Sequence, residues 1–425
     1  MNINEIDLST NCICEHEHPK LNMKVEISKG ALYKAAEILR DFPRNILIVA
    51  DKNTLLASQG LLEVLKDGGF RYTVHCYEDC KEADIIQVKE IEMLLDSHDG
   101  VLAVGSGSIG DICRLASFYA KKEFAIFATA SSMDGYSSNS APITFNNFKE
   151  SIQCHAPSVI IADTDILAKA PVALKSAGFG DVVAKYVALA DWKIAALVAQ
   201  EKYCPNVAKL VNDVLEKSMA LAEKVTDEDS EAAGAIMEAL VLSGICMTLI
   251  GNTRPASAAE HLLSHYWEMK KMERKEPITF HGEKVGVGTL LIIQLYHDLV
   301  DGKLGEIVFG EDEIDWEGIY RAYGVNLYED IKRLNSPTIT EKTSPEILQS
   351  YWPEICRIIK EELPSYEVVF QLMEKAGAMT SIEEIGVDRQ LALDSLEFHP
   401  YMRYRVNLTR LFPMLGIKPD YSYLL

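Results

Sequence analysis

From residue 23 to about residue 167 the chain alternates short, unbroken apolar runs with amphipathic stretches, and this alternation restricts the fold more than any other property of the sequence. Residues 45–50, 72–76, 100–104, 124–127 and 159–162 read as strands, mostly apolar and therefore suited to a sheet covered by other elements. Between the earlier ones lie helical segments over 54–66, 82–95 and 109–121. Repeated βα units require a largely parallel sheet with helices on both faces. Ligands of such sheets sit beyond the carboxyl ends of the strands. After Pro171 the pattern changes: strands disappear and long helical patterns run to the end. The expected organisation is an amino-terminal arm (1–22), an α/β domain (23–170) and an α-helical domain (171–425).

With 425 residues there is ample material for a buried core. The longest uncharged apolar run, 239–251, is shorter than the roughly 20 residues that span a bilayer. It reads as a buried helix, and membrane insertion is not expected. The start, MNINEIDLSTNCICEHEHPK, has neither a basic beginning nor an apolar core and is not read as a secretory signal. A cytoplasmic location follows as the expectation, with the nine scattered cysteines as free thiols. The formal net charge of −21 repels nucleic acid and anionic lipid. Any anionic ligand must therefore be held by local cations and helix amino termini.

Cys12, Cys14, His16 and His18 form a CxCxHxH run. Alternation places all four side chains on one side of an extended segment. Structural zinc sites more often use CxxC spacing with a second knuckle elsewhere, and no such partner is evident. The run is expected to be a mobile arm.

Three strand ends carry ligand chemistry. Gly105-Ser106-Gly107-Ser108-Ile109-Gly110-Asp111 follows a buried strand and opens a helix, the context in which glycines admit a pyrophosphate to the helix amino terminus. A plain tight turn would look similar. Asp51, directly after an apolar run, is placed to accept hydrogen bonds from a ribose diol. In an ordinary Rossmann unit that acid follows the glycines by about 20 residues; here it precedes them, so the strand order must differ. The third end, Thr129-Ala130-Ser131-Ser132-Met133-Asp134-Gly135-Tyr136-Ser137-Ser138, offers small hydroxyls to a cofactor amide or sugar and Asp134 to a substrate hydroxyl. Taken alone it is equally a solvated turn.

His261 and His265 are four residues apart in a helical segment, so both imidazoles project from one face. His281 opens a second helical stretch after a charged connection. Two helices can thus aim histidines at one point, and a carboxylate would complete a three-ligand metal site with an open position. Asp181, in or beside the first turn of a helix, is the best placed acid. In isolation an HxxxH pair is more often capped or core-satisfied, and an acid there is often only a dipole partner.

These pieces, VADKNT (49–54), VGSGSIGD (104–111), TASSMDGYSS (129–138), GFGDVVAKYVALADW (178–192), TRPASAAEHLLSH (253–265) and HGEKVGVGT (281–289), occur in the order found in one superfamily. The chain resembles the superfamily of iron-type alcohol dehydrogenase, glycerol dehydrogenase and dehydroquinate synthase. Within it, the resemblance is strongest to the bacterial branch of the sn-glycerol-1-phosphate dehydrogenases. It implies a dehydroquinate synthase-like α/β dinucleotide-binding domain, an all-α domain that binds metal and substrate, and a divalent metal in the cleft between them. By position, Asp181, His261 and His281 are the implied metal ligands, with zinc or nickel as the metal. Asp134, Asp181 and His265 face the substrate, and His265 or a water it orients delivers the proton. Asp51, Gly107, Ser108, Ile109, Gly110, Asp111, Thr129, Ala130, Ser131, Ser132 and Ser138 contact NADH or NADPH.

The implied reaction is reversible reduction of dihydroxyacetone phosphate to sn-glycerol 1-phosphate by a homodimer, with Arg254 and Lys185 as candidate phosphate ligands. Departures are limited. Gly105-Ser106-Gly107 and Arg114 stand where relatives often have three glycines and a lysine. Lys185 stands where iron-type alcohol dehydrogenases place a further histidine, which argues for three protein ligands. A glycerol dehydrogenase with an uncharged substrate, a lyase of the dehydroquinate synthase type, and a non-catalytic metal- or nucleotide-binding module remain alternatives. Beyond about residue 300 no family motif is evident, and the tail is expected to pack on the helical domain.

Overall fold

The five strand-like runs all join one sheet: four are largely buried, and a buried segment must find its backbone partners on neighbouring strands, while 72–76 lies on a half-exposed edge. The computed structural model describes residues 5, 6, 8, 12–14, 17–145 and 148–425. Its strands are β1 (Lys24–Ser28), β2 (Asn45–Asp51), β3 (Arg71–Tyr77), β4 (Gly100–Gly105), β5 (Glu123–Ala128), β6 (Ser140–Phe145), β7 (Phe148–Gln153) and β8 (Val159–Asp163). Six of them form a parallel sheet in the order β1-β8-β5-β4-β2-β3. β6 and β7 pair antiparallel outside it. The sequence reading lacks three of these strands. β1 lies on an edge and fully buries only Val25, so it carries no apolar run, while the β6–β7 ribbon is polar along much of its length.

This strand order settles the position of Asp51. β2 and β4 are neighbours, as are β4 and β5. The acid ending β2, the glycines ending β4 and the hydroxyl loop after β5 therefore emerge side by side. Gly105 is registered with Ala128, and Thr129 N donates to Gly105 O at 3.1 Å. The helix expected over 54–66 is two helices, Lys52–Ala57 and Leu61–Asp67, because Gly60 takes φ 99° between them.

Beyond Asp163 the regular elements among the described residues are all helices. Helix Ser230–Ile250 is long and apolar enough to cross a membrane, but 83% of its most apolar window is buried inside the protein, so it serves as a core helix. The residues after 300 clasp the helices Ala259–Arg274 and Lys185–Ala199. Trp267 Nε1 donates to Ser395 Oγ at 2.8 Å, Lys271 Nζ to Ile385 O at 2.8 Å, and Leu408 N to Asp191 Oδ1 at 2.9 Å.

His399 is sealed inside this clasp, with Nδ1 donating to Ser395 O at 2.7 Å and Nε2 3.0 Å from Thr409 Oγ1. Burial pushes it from 6.5 down to about 4. The folded chain thus binds fewer protons here than the unfolded chain between those values. This contribution to stability is complete above pH 6.5 and lost as pH falls toward 4, about 3 kcal/mol in all. Urea unfolding across that range is expected to show the decline, and His399→Gln to flatten it by that amount.

Candidate active site

Glycines bring the site together by letting backbones touch. Helices Val172–Val183 and His281–Val300 cross so closely that a Cβ on Gly282 would lie 1.8 Å from Ala177 O, and one on Gly180 2.4 Å from Gly282 O. On the other side, a Cβ on Gly178 would lie 1.9 Å from Ser131 O. Helix His281–Val300 also presses on Ala259–Arg274, where a Cβ on Gly288 would come within 2.8 Å of Glu260 O. Side chains of any size would separate these segments. The aspartate helix, both histidine helices and the hydroxyl loop therefore meet at one point.

Asp181, His261 and His281 converge there, with a ligand atom from each lying within 4.8 Å of the others. His261 Nε2 is 3.8 Å from Asp181 Oδ1, and the His261 and His281 ring centroids are 5.3 Å apart. Glu260 accepts a hydrogen bond from His261 Nδ1 at 2.7 Å and one from Ala258 N at 2.8 Å. Because an ionised carboxylate only accepts, Nδ1 carries the proton and Nε2 presents its lone pair toward Asp181. Burial pushes His281 down to about 4, with His261 and Lys284 adding to the effect and Asp181 opposing it. Its imidazole is neutral at pH 7. Two imidazoles, one carboxylate and a carboxylate behind one imidazole suit a divalent ion, and three ligands leave coordination positions open.

Lys185 supplies the charge that a buried acid needs. Its Nζ donates to Asp181 Oδ1 at 2.8 Å, Asp134 Oδ2 at 2.7 Å and Ala256 O at 3.1 Å. Burial alone would raise the Asp181 carboxyl; the Lys185 ammonium, with His281 and His261, instead holds it below the ordinary carboxylate range. Asp134 and Asp181 together overcome the burial of Lys185 and raise it. All three donors of Lys185 are thus committed inside the protein, which removes it as a phosphate ligand. Arg254 is engaged in the same way, with Glu201 accepting from Nε at 2.8 Å and Nη2 at 2.5 Å, and Val406 O from Nη1 at 2.6 Å.

His265 is half-buried, with its ring 6.0 Å from His281 and 6.2 Å from His261. Burial, then the two histidines and Arg403, hold it well below the ordinary histidine value. At neutral pH it is therefore an imidazole and not a charged proton donor.

On the cofactor side, the helix Gly107–Ala120 starts at the end of β4 with no side-chain cap, leaving its first N–H groups for a ligand. Gly107 lies under Met133, where a Cβ would meet Cε at 2.9 Å. Gly110 is buried in this helix, as is Ile109, while Ser108 Oγ donates to Lys81 O at 2.9 Å. Asp111 is turned to a structural task, pairing with Arg114 Nη1 at 2.5 Å. The fully buried Arg114 in turn donates to Ser140 O, Gly135 O and Tyr136 O. This fastens the hydroxyl loop to the glycine helix.

Within that loop Thr129, Ala130, Ser131 and Ser132 are buried, and Ser131 Oγ has no hydrogen-bond partner. Ser138 Oγ bonds its neighbour Ser140. Asp134 N donates to Asp181 Oδ2 at 2.9 Å, tying the hydroxyl loop to the Asp181 cluster. Asp51 caps the helix Lys52–Ala57 by accepting from Thr54 N at 2.8 Å.

A family model described as iron-containing alcohol dehydrogenase matches residues 26–171. The glycerol-1-phosphate dehydrogenase, NAD(P)+, of Geobacillus stearothermophilus is 33% identical over 414 residues, covering 95% of this chain and 94% of that protein. The chain belongs to the glycerol-1-phosphate dehydrogenase family. A second family member, from Bacillus subtilis (strain 168), is 32% identical over 365 residues, 83% of this chain and 82% of its own. The solved structure of glycerol dehydrogenase from Schizosaccharomyces pombe matches with a TM-score of 0.63 at 16% identity, over 97% of this chain and 90% of that one. That likeness reaches the tail, which therefore belongs to the shared fold even though its sequence carries no motif.

Sequence reasoning overlooked Glu260, although it directly precedes a candidate ligand histidine, and the tail arginines. Arg405 Nη1 donates to Ser257 O at 2.6 Å and Nη2 to Thr253 Oγ1. Arg403 is exposed and close enough to depress both His265 and Arg405. Glu260→Gln removes the charge behind His261. Metal titration of the apoprotein is expected to show affinity weakened by about 10–100-fold, with unchanged circular dichroism.

Proposed function

We propose that the chain is an NAD(P)-dependent, metal-dependent sn-glycerol-1-phosphate dehydrogenase that interconverts dihydroxyacetone phosphate and sn-glycerol 1-phosphate. The observation that carries this reading is near-full-length identity to that family in a chain whose Asp181, His261 and His281 converge beside an uncapped glycine helix.

When bound, a zinc or nickel ion on Asp181, His261 and His281 supplies Lewis acidity, and a nicotinamide at the glycine helix supplies or takes hydride. The protein does the positioning. Glu260 fixes the His261 ring, while Lys185 holds Asp181 and Asp134 in one frame. Asp134 keeps one oxygen on Lys185 and offers the other to a substrate hydroxyl. N–H groups at Gly107 to Gly110 receive the pyrophosphate, and the hydroxyls of Thr129, Ser131 and Ser132 hold the nicotinamide end. Asp51 at the neighbouring strand end favours a ribose with a free 2′-hydroxyl, and hence NADH. His265, neutral at rest, relays the proton between the substrate oxygen and solvent at a ring nitrogen, taking it up in one direction and returning it in the other.

Phosphate recognition falls to the tail. Arg403 is exposed beside His265, in a corner that it shares with Arg254 and Arg405, and a guanidinium there counters the repulsion of a chain with net charge −21.

A chiral assay is expected to find sn-glycerol 1-phosphate from dihydroxyacetone phosphate with NADH, and little oxidation of glycerol; sn-glycerol 3-phosphate as product would refute the assignment. Arg403→Ala is expected to raise KM for the phosphorylated substrate about 10–100-fold, the loss of one charge-assisted hydrogen bond. His265→Ala should instead lower kcat by about 100-fold or more, and a variant with an unaltered kcat and pH profile would remove the relay.

A further inference from the structure

The amino-terminal run leaves its expected isolation. Cys12, Cys14 and His18 fold onto the helical region and meet Cys204, far away in sequence. Cys12 Sγ is 3.3 Å from both Cys14 Sγ and Cys204 Sγ, and His18 Nε2 is 3.1 Å from Cys14 Sγ and 3.6 Å from Cys204 Sγ. One ligand atom from each residue lies within 4.8 Å of all the others. His16 lies outside the described residues. The missing half of the motif was no second knuckle but a single cysteine at a helix start, which spacing rules do not detect.

We propose that Cys12, Cys14, His18 and Cys204 form a closed structural zinc site that staples the amino-terminal arm to the helical domain. Four ligands at about 2.0–2.3 Å around a tetrahedral ion stand about 3.4–3.8 Å apart, close to the spacings seen here. The sulfurs are too far apart for disulfides, whose S–S bond is about 2.05 Å, and all three cysteines are free.

The surroundings are those of a metal ligand set. His18 Nδ1 donates to Leu249 O at 2.8 Å, which leaves Nε2 as the lone pair aimed at the sulfurs. Cys204 caps the helix Pro205–Met219, accepting from Val207 N at 3.5 Å, and Asn206 Nδ2 donates to Cys12 Sγ at 3.4 Å. Helix amino termini and N–H donors of this kind stabilise thiolates. Three soft thiolates and an imidazole select zinc over harder ions. Four protein ligands leave no open position, so the site is structural and separate in chemistry from the Asp181 site.

Its mechanical effect is specific. Leu249 belongs to the last turn of Ser230–Ile250, where carbonyls lack helical partners. The staple ties that end down immediately before the 251–258 connection that feeds His261. The same helix supports the hydroxyl loop, where Ser137 Oγ donates to Val241 O at 2.6 Å.

The test is elemental analysis with X-ray absorption on the full-length enzyme. Wild type is expected to carry one zinc per chain with three sulfur neighbours and one nitrogen, in addition to any ion at Asp181, and Asp181→Asn to retain it. Cys204→Ser should lose that zinc and unfold at a lower temperature. Because Cys204 is buried, the double variant Cys12→Ala/Cys14→Ala, altered only on the half-buried arm, should lose the same zinc in a folded protein. Cobalt reconstitution of Asp181→Asn should give thiolate-to-cobalt charge-transfer absorption that the arm variant lacks. Wild type without sulfur-bound metal, an arm variant with an unchanged zinc content, or a disulfide among the three cysteines in the native enzyme would overturn the proposal. None of these outcomes depends on turnover, so the zinc staple can fail while the assigned reaction stands.

Discussion

The site depends on keeping one carboxylate ionised where no water reaches it. Asp181 is fully buried, and an uncompensated charge in that position would simply take up a proton. Lys185 one turn away, the backbone N–H of Asp134 and the two histidines provide the compensation. Each comes from a different part of the fold. The charge on Asp181 therefore acts as a condition on the whole arrangement: the hydroxyl loop must bring its amide, and the two histidine helices must bring their rings. Lys185 holds the helical position one turn beyond Asp181. Its ammonium joins Asp181 to Asp134.

Contact this close requires glycine. Gly178, Gly180 and Gly282 are positions where a single methyl group would lie 1.8 to 2.4 Å from a carbonyl oxygen, far inside van der Waals contact. The repulsion could be relieved only by moving a helix. The residues that determine how Asp181, His261 and His281 converge are consequently glycines, and they have no side chains to announce them.

This bears on what could be read from the sequence. The buried strands were legible because burial on both faces leaves an unbroken apolar run, and Asp51, the glycine turn and the hydroxyl loop were legible because each directly follows one. The edge strand β1 and the β6–β7 ribbon bury too little to leave that pattern. Lys185 and Arg254 look like free cations in a sequence, since nothing local shows that Asp134, Asp181 and Glu201 will use their donors. The partner of the CxCxHxH run escaped for a similar reason: Cys204 is a lone cysteine whose only local distinction is that it precedes a proline at a helix start. Contacts between segments distant in sequence carry most of this site, and local periodicity does not encode them.

The tail gives the site a history as well as a wall. The connection before His261 is laced to residues near the end of the chain, Arg254 to Val406 and Arg405 to Ser257, while Leu408 bonds Asp191. A nascent chain thus possesses Asp181, His261 and His281 well before it possesses the segment that encloses them, and domains fold as synthesis proceeds. Any ion that these three residues bind would meet them unobstructed for an interval during translation, before residues 405–408 are made. Order of synthesis, in this chain, is also order of access.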